Sequence, residues 1–229
     1  MRAIFESGFY YVYLLFIMGM GVYLIVRRKN ALFGLACFIL GFGDAFHLIP
    51  RAIGLYTNTL DSPGPDLAFW LGFGKLVTSL TMTAFYVLLY LFVFQKMNWA
   101  RNRLLDFCVA VLVIVRIVLC CLPQNQWFEN GNDVWWGFAR NIPFILLGIV
   151  AIVLLFLYFR KQKYLGWMWL AVILSFGFYL PVVLFAAQYS WVGLLMLPKT
   201  VCYIWIGVMG LLNGIKTSKP AKEEQSVHS

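Results

Sequence analysis

Asp44, His47 and Arg51 are spaced by three and then four residues, which puts them on one face of a helix. Cys37 and Gly41 continue that face through the preceding apolar run and are small enough to leave room beside it. A carboxylate and an imidazole side by side can move a proton to or from a reacting group. A guanidinium next to them can hold an anion. Asp44 and His47 are therefore the predicted catalytic pair. More cations lie in other apolar runs. Lys75 is followed by Thr78 and Ser79 on one face, and Arg116 lies near the end of a fourth run. Lys199 begins a stripe through Tyr203, Ile206, Gly210 and Asn213.

With Arg140 at the start of a fifth run and Glu6 before the first, five cations enter these segments against two carboxylates, Asp44 and Glu6. A surplus of positive charge in an apolar setting calls for phosphate, sulfate or carboxylate. The predicted ligand-binding set is Arg51, Lys75, Thr78, Ser79, Arg116, Lys199 and Tyr203. Asp44 is expected to be ionised and paired with Lys75 or Arg116, because an unpaired carboxylate at membrane depth is costly. The competing reading makes the same charges packing pairs, with Arg51, Arg140 and Lys199 reaching out to the interface.

The elements that must position these groups are long apolar helices. Of 229 residues, 62% are hydrophobic and 12% charged, where a soluble domain carries roughly 25% charged residues. That balance excludes a disordered chain, a disulfide scaffold and a cytosolic enzyme. Seven stretches are long enough to cross a bilayer, which takes about 20 apolar residues. They run over about 8–26, 31–49, 69–94, 104–122, 142–159, 166–185 and 194–215. The runs do not alternate as barrel strands would. The predicted fold is an all-α integral membrane protein, a seven-transmembrane-helix bundle occupying 1–216 as one domain, with 217–229 a disordered polar tail.

The net charge of +9 is a topological signal, not a nucleic-acid surface. Twelve of the eighteen basic residues fall after the first, third, fifth and seventh spans, while Asp61, Asp66, Glu129 and Asp133 mark the opposite loops. The positive-inside rule then places the N-terminus outside and the C-terminus in the cytosol. The expected location is a bacterial cytoplasmic membrane or an equivalent multi-pass membrane. The common depth of Asp44, Lys75 and Arg116, about 9 Å below the outer boundary at 1.5 Å per residue, predicts a pocket open to the outside. The expected partners are membrane lipid, an anionic lipid-like ligand and a second copy in a homo-oligomer, with no nucleic acid. No cofactor or metal is expected, since the five cysteines fall inside spans with no C-x-x-C and no partnering histidine.

The pair Gly43-Asp44 is similar to the Gly-Asp of lysoplasmalogenase-type membrane hydrolases. Their second signature, Ser-Asp, would fall near Ser175, where Phe176 follows instead. Retinal proteins, G-protein-coupled receptors and seven-helix metal hydrolases are set aside, because their lysine, motif or histidine requirements are not met. Three functions fit the residues. The first is a membrane-embedded hydrolase or transferase acting on a lipid or lipid-linked anion. The second is a non-enzymatic carrier or sensor of an anionic amphiphile, and the third a structural membrane subunit.

Overall fold

In hydrocarbon no water is available to satisfy backbone N–H and C=O groups, so an apolar run must satisfy them within itself, as a helix does. A computed structural model describes residues 2–60, 62–97, 102–128, 134–185 and 189–216. Its helices are α1 (Arg2–Val26), α2 (Ala31–Tyr56), α3 (Pro65–Met97), α4 (Arg103–Cys121), α5 (Val134–Phe159), α6 (Met168–Phe185) and α7 (Met196–Lys216). Short 3₁₀ turns lie at Pro123–Asn125 and Ser190–Leu195. These seven helices are long and apolar enough to span a membrane, and no strand occurs among the described residues. The tail after Lys216, with Asp61, Arg101, Glu129 and Asp133, lies outside the described residues.

The helices close into a ring. Each packs on its neighbours in chain order, α3 also touches α5, and α7 returns to α1. α4 is peripheral: it buries only Val109, Arg116 and Cys120 and exposes an apolar face that includes Leu104, Phe107, Ile114 and Val118. Aromatic rings fill the core near the basic end, where Phe33 of α2 meets Phe92 of α3, and Phe92 meets Phe159 of α5. Asn30, in the α1–α2 turn, donates to Asn213 of α7 at 3.2 Å, and Tyr90 of α3 donates to Asp106 of α4 at 2.6 Å. These contacts bring the basic ends of α1, α3 and α7 together, away from Asp44.

α1, α2, α3 and α5 outrun their predicted limits by several residues, α2 and α5 by the most at one end. α2 continues past Ile49, through Pro50, to Tyr56, and α5 begins at Val134, ahead of Pro143. Proline has no N–H, so the carbonyl of Phe46, one turn before Pro50, loses its helical donor. Gly74 of α3 lies against that carbonyl; a Cβ added there would come within 2.2 Å of the Phe46 oxygen. Gly43 meets α3 closely too: a Cβ added to it would overlap Thr81 Oγ1, and the Thr78 hydroxyl donates to the Gly43 carbonyl at 3.0 Å. Apolar burial gives little net drive between helices in lipid, so close contact through small residues and hydrogen bonds sets the geometry. The α2–α3 pair is held in this way, and Asp44 and His47 lie on its α2 side.

Candidate functional site

Glu6, Tyr10, Tyr13 and Ile17 form a buried stripe on α1, spaced by four, three and four residues. It faces the Asp44–His47–Arg51 face of α2. Tyr13, with no exposed surface, donates to Asp44 Oδ2 at 2.6 Å. The Tyr10 hydroxyl donates to Glu6 Oε2 at 3.0 Å and accepts from Arg51 Nε at 3.1 Å, and Arg51 forms an ion pair with Glu6 at 3.6 Å. Glu6 is thus the carboxylate that answers Arg51.

α7 closes the other side. A small cleft of about 30 Å³ is lined by Asp44, His47, Arg51, Thr78, Lys199 and Tyr203, together with Tyr10, Leu48, Met196 and Thr200. A water needs roughly 10–15 Å³ of such volume, so the cleft is large enough to admit one. Lys199 is 6% exposed; its ammonium contacts Met82 Sδ at 3.6 Å and lies 4.6 Å from the centre of the Tyr179 ring. Neither Asp44 nor Lys199 makes an ion pair among the described residues, although both face the cleft. Among the described residues His47 Nδ1 is buried without a hydrogen-bond partner, and the cations facing that imidazole are Arg51, Lys75 and Lys199.

The expected pairing of Asp44 with Lys75 or Arg116 is therefore replaced. Tyr13 is its hydrogen-bond partner, and Lys199 is the cation that faces it. Lys75 is exposed on α3, and Ser79 folds back to donate to the Lys75 carbonyl at 2.8 Å. Thr78 lines the cleft while its hydroxyl is engaged by Gly43.

Arg116 belongs elsewhere. It is 1% exposed, donates to Thr83 Oγ1 at 3.0 Å and Asn141 Oδ1 at 3.2 Å, also donates to the Arg140 carbonyl, and stacks on Phe144 at 4.1 Å. Arg140 donates in turn to Asn125 Oδ1 at 2.8 Å and covers the Trp127 ring. Equal depth in sequence did not bring Arg116 to Asp44, because α4 packs on α3 and α5 while Asp44 lies on α2. Asn125 is buried, and the Trp127 carbonyl packs on Gly72, seven residues into α3.

No protein-family model matches this chain, and neither do curated proteins or solved structures.

Sequence reasoning overlooked Tyr13, Tyr10 and Thr200. The first two carried a usable signal, since their spacing from Glu6 defines one polar stripe in an apolar helix. The Arg116 network makes a separate prediction. Arg116→Ala should cost about 2–4 kcal/mol in unfolding free energy, the scale of lost charged hydrogen bonds at a buried site. It should leave ligand retention at the cleft within a factor of about two, because additivity holds for separate networks. Reversible unfolding in mixed micelles measures the first, and lipid retention by native mass spectrometry the second.

Proposed function

We propose that the protein is a membrane-embedded enzyme, a hydrolase or transferase, acting on a lipid or lipid-linked substrate with an anionic group bound at this cleft. The observation that carries this reading is the meeting of Asp44, His47, Arg51 and Lys199 in one cleft where His47 Nδ1 has no partner among the described residues. Buried polar groups are normally paired, and those left unpaired mark a place where water or a ligand completes the set. Asp44, fixed through one oxygen by Tyr13, would accept a proton from the attacking group. His47 would donate or relay one, and Lys199 and Arg51 would balance charge on the phosphoryl or acyl oxygens.

The test is conversion of lipid. Purified wild-type protein in nanodiscs of total membrane lipid should deplete one lipid class and accumulate its product, followed by mass spectrometry. Selective retention of a lipid class with no product would favour the carrier or sensor reading. Lipid composition that stays constant, with no class retained, would leave the charges as packing pairs.

We also propose that the cleft opens to the outer face, on the strength of the alternating basic loops. In a background lacking Cys108 and Cys121, Ser62→Cys should react with an impermeant thiol reagent on intact cells and Lys163→Cys should not. The opposite pattern would reverse the orientation.

A further inference from the structure

Two opposite charges share the cleft and do not close on each other. Asp44 and Lys199 are 9% and 6% exposed, both line the same small space, and yet they form no ion pair. Each is held back by a neighbour. Tyr13 binds one Asp44 oxygen, and the Lys199 ammonium rests on the Tyr179 ring and Met82 sulfur. Buried charges are normally paired, since an unanswered one loses hydration without recovering it. A carboxylate left open asks for a cationic donor. The ammonium left open, with Arg51 and His47 Nδ1 beside it, asks for an anion.

We infer that the ligand of this cleft is a zwitterion carrying a primary ammonium and a phosphate or carboxylate. The ammonium would lie on Asp44 and the anion on Lys199, Arg51 and His47. The inference rests on the anionic-ligand reading above and narrows it to an amine-bearing head group. Hydrogen bonding supports a primary amine: its N–H groups can donate to the Asp44 oxygen that Tyr13 leaves free, and the methyl groups of a choline cannot. The same chemistry occurs in an ethanolamine phospholipid and in soluble phosphoethanolamine, so the experiment must separate them.

Full-length protein in nanodiscs of equal parts phosphatidylethanolamine, phosphatidylglycerol and phosphatidylcholine would be released for native mass spectrometry and the retained lipids counted. Phosphatidylethanolamine should be retained about tenfold over either competitor, the effect of one added charge-assisted contact. N-methylation should reduce its retention stepwise, a measurement made on wild type alone. Asp44→Asn should lower phosphatidylethanolamine retention about tenfold and leave phosphatidylglycerol retention unchanged, whereas Lys199→Met should lower both. Phosphoethanolamine that displaces the lipid, or is retained without it, supports the same chemistry from a soluble source. No displacement supports the lipid head group.

Retention of phosphatidylglycerol equal to or above phosphatidylethanolamine would overturn the ammonium assignment while the anionic reading survives. No retention of any of the three lipids, and none of phosphoethanolamine, would overturn both.

Discussion

Asp44→Asn is expected to slow whichever lipid conversion the wild type performs in nanodiscs by about 10²–10⁴-fold, the range of a lost general acid or base. The change is well suited to the question because an amide oxygen can still accept the Tyr13 hydroxyl bond, now 2.6 Å long. The α1–α2 contact therefore persists, and unfolding free energy should move by less than about 1 kcal/mol. What disappears is the negative charge and the ability to take a proton. Tyr13→Phe tests the same oxygen from the other side, since it keeps the ring in the core and frees the carboxylate to turn. Its effect on turnover should be smaller, about tenfold, because geometry is disturbed while the base remains. Turnover that survives Asp44→Asn unchanged would remove Asp44 from the chemistry and leave the cleft as a binding site.

Gly74→Ala should cost about 2–4 kcal/mol, an effect near the top of the range for overpacking. The added methyl would meet the Phe46 oxygen at 2.2 Å, the Phe46 carbonyl carbon at 2.7 Å and the His47 Cα at 2.8 Å. All three are backbone atoms of α2, so no rotamer change relieves the contact and the helices must part. The segment that would move carries Asp44 and His47, so ligand retention at the cleft should fall together with stability. Gly19→Ala is the matching control. It lies on α1 with nothing within 4 Å of its added methyl, and it should be neutral or slightly stabilising, by up to about 1 kcal/mol, since alanine is the better helix former. Reversible unfolding of the two variants under one condition checks both. Equal stability for Gly74→Ala and wild type would mean that α2 and α3 are not locked at this point.

Phosphate-type or carboxylate ligands and a zwitterionic head group make different demands on Lys199 and Asp44, so the two variants read separately. Lys199 is needed in either case. Asp44 is needed for binding only when the ligand carries an ammonium, and for turnover in either case.

The amino-acid sequence by itself determined the seven apolar helices, because spanning length and the absence of charge are local properties that hydrocarbon enforces segment by segment. It also determined the shared face of Asp44, His47 and Arg51, since helical periodicity fixes which residues of one segment point together. It did not determine partners across helices. Asp44 could reach any cation at a similar depth, and the choice of Lys199 over Lys75 and Arg116 rests on packing: α4 carries Arg116 against α3 and α5, Lys75 is exposed, and Lys199 lines the cleft with Asp44. Close backbone contacts fix how the helices meet: Gly74 on the Phe46 carbonyl that Pro50 leaves open, and Gly72 on the Trp127 carbonyl. Such contacts join residues distant in the chain and leave no period in it. The tertiary structure alone therefore decided that Arg116 ties α4 to α3 and α5, that Glu6 answers Arg51, and that Asp44 and Lys199 face one cleft without meeting.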